Sequence, residues 1–232
     1  MWLTNSSVGR KVVMSVTGLF LVLFVTFHAL MNAVAIVSFD AYDAICEFLG
    51  ANWYAVLGTG VIAVGMLIHL VFAFWLTYQN RKARGGDRYA ISKNWKSVSW
   101  ASQNMLVIGI IVLCFMVLHL VQFWAKMQVP ELLGEHVMNG KYYLDAVFSQ
   151  VWVLPVYLVG FAAIWLHITH GFWSAFQTLG VANDKWICRW TCIASAWATV
   201  VFVLFAAEAP AKPVPTTMIS SLRLLAGFTN FW

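Results

Sequence analysis

"IWLHITHGFW", residues 164–173, sets two histidines three positions apart in a run whose other side chains suit hydrocarbon. Followed outward, the run reaches about 150 on one side and about 179 on the other, beyond the roughly 20 residues a helix needs to cross a bilayer at about 1.5 Å per residue. It is not alone: apolar runs of the same kind at about 11–38, 53–80, 101–127 and 190–208 bring the expected spans to five. The whole chain agrees. Of its 232 residues 62% are hydrophobic and 10% charged, against roughly 45–50% and about 25% in a soluble domain. The fold expected is an all-α membrane protein of five transmembrane helices, the first four forming a bundle.

The first run follows Arg10 and Lys11 and contains "AVA" at 33–35, features of a secretory leader. From Val12 to Phe39 it is far longer than the roughly 7–15 apolar residues of a leader, so it reads as a mature helix. Charge between the runs sets direction. The segment 81–100 carries Arg81, Lys82, Arg84, Arg88, Lys93 and Lys96 against Asp87, whereas 39–52 carries Asp40, Asp43 and Glu47 and no base. The segment 128–149 is acidic in balance, with Glu131, Glu135 and Asp145 against Lys141. By the positive-inside rule the amino terminus, 81–100 and 180–189 face the cytoplasm. The expected division is a five-helix domain at 1–209 and an extracytoplasmic tail at 210–232, where "APAKPVPTT" cannot continue a helix.

The net charge of +5 sits in short connecting segments rather than along one face, which argues against nucleic acid as a partner. Cys46, Cys114, Cys188 and Cys192 have no zinc-type spacing and read as small buried residues. Trp53, Trp100, Trp152 and Trp190, near span ends, read as interfacial anchors.

Five of the six histidines fall inside spans: His28, His69, His119, His167 and His170. Ionisable side chains at that depth are costly and mark function. Rise per residue gives their heights: about 26 Å from the cytoplasmic end for His28 and His119, roughly 17 Å for His69 and His167. Four helices thus offer two level pairs, His28 with His119 and, about 10 Å lower, His69 with His167. Imidazoles facing one another across a bundle are what a six-coordinate haem iron takes as axial ligands. A proton relay would want Asp or Glu among them, and the apolar parts of the first four spans have none. Gly65, Gly160 and Gly171, one or two turns from the ligands, leave room for a flat macrocycle. Arg10, Lys11, Ser15 and the stretch "WASQN" at 100–104 are candidate propionate donors at the inner edge. His170 shares a face with His167 and is a candidate for a propionate bond or for exchanging roles with it; His136 reads as solvated.

The segments "SSVGRKVVMSVTGLF" (6–20), "TFHALMN" (26–32) and "LHITHGFWSAFQTLG" (166–180) resemble the dihaem cytochrome b subunit of succinate:quinone oxidoreductases, the single-polypeptide anchor of bacterial succinate dehydrogenases and fumarate reductases, nearest its Bacteroidetes-like branch. The resemblance implies His167 as the fourth-helix ligand, with His170 beside it, and two haem b groups. It implies a quinone substrate, expected to be menaquinone, and a site for it at the membrane edge. It also implies partners: an iron–sulfur subunit docked on the cytoplasmic face over 81–100 and the amino terminus, a FAD flavoprotein subunit that holds the succinate site, and a dimer of such heterotrimers. The setting would be the bacterial inner membrane, where the respiratory chain meets the tricarboxylic acid cycle. One feature departs from the family: Trp165 stands where some fumarate reductases place a proton-pathway glutamate. Two other readings stay open, a b-type subunit of a hydrogenase, formate dehydrogenase or nitrate reductase, and a transporter with a histidine-lined pore. A bc-type cytochrome b would need two well-separated ligands on each of two helices, a pattern no helix here has.

Overall fold

The computed structural model describes residues 5–50, 52–84, 100–181 and 183–208. Most of the basic segment and the tail after Glu208 lie outside the described residues. Among the described residues the chain is all helix, and five helices are long and apolar enough to cross a membrane, making it a multi-pass membrane protein.

The first span is α1 (Ser7–Val37). The Ser6 hydroxyl caps it by accepting from the Gly9 N–H at 2.8 Å, which satisfies one of the donors a helix start leaves bare. At its far end Ser38 serves two helices. Its N–H donates to the Val34 carbonyl at 2.9 Å, and its hydroxyl accepts from Ala41 N–H at 3.3 Å to start α2 (Phe39–Phe48). The second span is α3 (Trp53–Arg84). A short α4 (Trp100–Gln103) leads into the third span, composed of α5 (Met105–His119), a π-helical turn at Leu120–Trp124 and α6 (Ala125–Leu132). Then come α7 (Gly140–Phe148), the fourth span α8 (Val153–Thr178) and the fifth, α9 (Asp184–Glu208).

Segments 39–52 and 128–149, read from sequence as loops, therefore each hold a helix. The two pack together as an outer cap. Asp43 Oδ1 accepts from the Lys141 N–H at 2.8 Å, and a Cβ on Gly140 would stand 2.8 Å from a Tyr42 ring carbon, so only glycine permits this approach. Burial at that contact pushes the Tyr42 phenol and the Cys46 thiol up from their ordinary values.

α1 packs closely on α3, α8 and α9, and α8 packs on α5 and α9. By contrast, neither α1 with α5 nor α3 with α8 is among the closely packed helix pairs. The tightest packing lies in the outer half, where Ala29, Phe115, Val147, Val153, Tyr157, Phe161, Val201 and Phe205 form one cluster. α3 buries none of its apolar window, and Leu23, Val37 and Leu57 point outward, as suits side chains meeting lipid.

The cysteines correct one expectation. Cys114, Cys188 and Cys192 are exposed and Cys46 is half-buried; in a bilayer the outer face of a helix is as hospitable to a small apolar side chain as the interior. Trp53, Trp100 and Trp152 are exposed near span ends, while Trp190 instead stacks on Phe176 with ring centroids 4.1 Å apart.

Candidate haem-ligand site

The two helix pairs that stand apart are bridged by histidines. His28 on α1 meets His119 at the end of α5, with ring centroids 5.8 Å apart and planes at 85°. His69 on α3 meets His167 on α8 at 6.3 Å and 71°. An imidazole nitrogen binds a metal ion at about 2 Å and its ring centroid lies about 1 Å behind, so imidazoles on opposite sides of one iron hold their centroids roughly 6 to 6.5 Å apart. Both separations lie at or just under that value. His167 Nδ1 and His170 Nδ1 are both buried without a hydrogen-bond partner, although buried polar atoms are normally paired, so this feature does not distinguish the two. Donor type and spacing fit two bis-imidazole iron sites.

The surroundings of the pairs differ. The outer pair sits among rings: Phe24 and Phe205 lie 5.6 and 5.9 Å from His28, and Phe123, Phe115 and Tyr157 lie 5.2, 6.2 and 6.2 Å from His119. The Asn32 amide donates to the His28 carbonyl oxygen at 2.8 Å and stands 3.4 Å from the ring Nδ1. The inner pair is flanked by glycine instead. A Cβ on Gly18 would come within 3.3 Å of His69 Cε1, and one on Gly109 within 3.8 Å of His167 Cε1.

Thr17 fixes the His69 ring. Its hydroxyl donates to the Val13 carbonyl at 2.8 Å and has 3.1 Å to that of Met14. With its one proton committed, Oγ1 accepts from His69 Nδ1–H across 3.3 Å. A ligand histidine commonly gives its other ring N–H to such a partner, which sets the tautomer.

The glycines singled out in the sequence do other work. The Phe20 ring covers Gly65, where a Cβ would lie 2.7 Å from Phe20 Cε1; the Phe115 ring covers Gly160; and Gly171 faces open space. These two allow ring-on-backbone packing, while Gly18 and Gly109 border the imidazoles. Rotation about the helix axis decides which glycine faces a ligand, and spacing from the ligand along its own helix does not report on a neighbour's face.

At the inner end, the Arg10 guanidinium lies 5.5 Å from the Trp75 ring centroid, Ser15 is buried and Lys11 is exposed. α4, formed by the start of "WASQN", packs against α8. His170 joins neither pair: its ring meets Trp173 edge-on at 5.2 Å. His136 is exposed. Trp165 donates from Nε1 to Thr199 Oγ1 at 3.0 Å, tying α8 to α9. Residues missed in the sequence reading are Thr17, Gly18, Asn32, Gly109, Gln122 and Tyr157. Thr17, Asn32 and Gln122 carried a usable signal, since a polar side chain inside an apolar span asks for a partner.

No family model, curated protein or solved structure matches this chain.

Proposed function

We propose that the chain is the membrane anchor and electron-transfer subunit of a succinate dehydrogenase or fumarate reductase, passing electrons between an iron–sulfur subunit and membrane quinone. The supporting observation is the meeting of four imidazoles as two pairs with ring centroids 5.8 and 6.3 Å apart, close to the spacing an iron between them would need. Two b haems, one on His28 and His119 and one on His69 and His167, would supply reversible one-electron chemistry when bound.

The protein's own residues hold, orient and shield. His69 presents Nε2 because its Nδ1–H is committed to the Thr17 hydroxyl. Phe24, Phe115, Phe123 and Phe205 keep water from the outer pair, which matters because burial and nearby hydrogen bonds set the potential of such a site. Arg10, Lys11 and Ser15 offer donors to propionates at the inner edge. The flavoprotein partner carries the succinate site, so this chain contributes ligation and a quinone site, with menaquinone the expected substrate and the bacterial inner membrane the setting.

Purification of the chain from its native membrane tests the reading. The expected result is co-isolation of flavin-bearing and iron–sulfur subunits with succinate-dependent reduction of a quinone. Co-isolation with hydrogen-, formate- or nitrate-linked activity in its place would move the chain to another quinone-linked dehydrogenase.

A further inference from the structure

Two buried polar side chains flank His119 without belonging to either imidazole pair. Tyr157 on α8 is 2% exposed, and Gln122, in the π-helical turn that begins right after His119, is 7% exposed. Turns of this kind inside α-helices are rare and gather at functional sites. The Tyr157 hydroxyl donates to Gln122 Oε1 at 2.8 Å, and the Tyr157 phenol oxygen stands 3.5 Å from His119 Nδ1.

A phenol has one proton to give. Tyr157 spends it on Gln122, so toward His119 its oxygen can only accept, and Nδ1 must carry the hydrogen. A neutral imidazole has one ring N–H, which leaves the lone pair on Nε2. The rings of Phe115, Phe123, Phe148 and Phe161 enclose Tyr157 on its other sides and so hold the hydroxyl in place. His28 is treated differently, because what approaches its ring is the amide donor of Asn32.

We propose that Tyr157, polarised by Gln122, is a positioning residue that fixes His119 in its Nδ1–H tautomer and strengthens Nε2 as an electron donor, giving the outer site a potential of its own. This rests on the haem reading above. An acceptor at the far nitrogen makes an imidazole a stronger ligand and favours the more highly charged ferric iron, so losing the acceptor raises the potential.

The test is an optical redox titration of both haems in the intact complex, with low-temperature electron paramagnetic resonance, for the unaltered protein, Tyr157→Phe and Gln122→Leu. Phenylalanine keeps the ring packing and deletes one oxygen. Leucine keeps Tyr157 and removes the amide oxygen that takes its proton, so the phenol oxygen is less polarised and accepts less strongly from Nδ1–H. In both variants two haems are retained, one midpoint rises and the other stays put. A tenfold change in the ferric-to-ferrous binding ratio corresponds to about 59 mV for one electron, and a shift of that order is expected. Two haems with both midpoints unmoved in both variants, or both moved equally, overturns the inference and leaves the haem reading standing. Fewer than two haems in the unaltered protein removes both.

Discussion

The outer and inner histidine pairs use the same donor atoms in opposite surroundings. Around His28 and His119 the space is filled by phenylalanine rings and belongs to the best-packed part of the molecule. Gly18 and a threonine hydroxyl border His69, and Gly109 borders His167. In the first case position is enforced by packing, since a dense interior leaves a ring little freedom. In the second, small glycine neighbours leave the rings room and a local hydrogen bond sets the His69 ring. The two imidazole pairs thus reach similar separations by different means, ring packing around one and small neighbours with a local hydrogen bond around the other.

That contrast is broken most severely by removing a ligand. His69→Ala or His167→Ala is expected to abolish the inner haem and leave the outer, and His28→Ala or His119→Ala to do the reverse, each halving the haem content measured by pyridine haemochrome. His170→Ala retains both. If His170→Ala lost a haem and His167→Ala kept two, the fourth-helix assignment would pass to His170.

A smaller lesion separates the two ways of holding a ring. Gly18→Val places branched carbon against His69 Cε1, which already has only 3.3 Å to a Cβ, so the inner haem is expected to be displaced or lost while the outer spectrum stays normal. An equal loss from both sites would show that glycine serves general packing there.

Thr17→Val keeps the shape and removes the hydroxyl acceptor. Loss of such an outer partner weakens metal binding by about 10–100-fold, read as easier extraction of the inner haem, and no change at either site would show the hydroxyl to be incidental. Least of all is expected from Trp165→Phe. It deletes the bond to Thr199, an interhelical contact of about 0.6 kcal/mol, and should lower thermal stability slightly with both haem spectra intact.

The five spans were legible because lipid imposes a length and a composition that only long apolar runs satisfy. Which histidines meet was legible too, since height along a helix follows from counting residues, and His28 meets His119 as His69 meets His167. What height cannot give is rotation. Gly65 and Gly160 lie near ligands along the chain yet pack against Phe20 and Phe115, whereas Gly18 and Gly109 border rings on other helices. The outer helices α2 and α7 had local start signals in Ser38 and Asn139, each accepting from a backbone N–H three residues on, but their acidic residues drew the reading toward topology. The π-helical turn after His119 has no residue that announces it. Nothing local in the sequence marks Tyr157, whose hydrogen-bond partner Gln122 is 35 positions away.

The central claim is that four imidazoles grip two irons, and counting porphyrin per polypeptide tests it most directly. Purified full-length protein assayed by pyridine haemochrome, together with a reduced-minus-oxidised spectrum, should give two protohaems per chain with low-spin b-type bands. One haem per chain, or none, would contradict it.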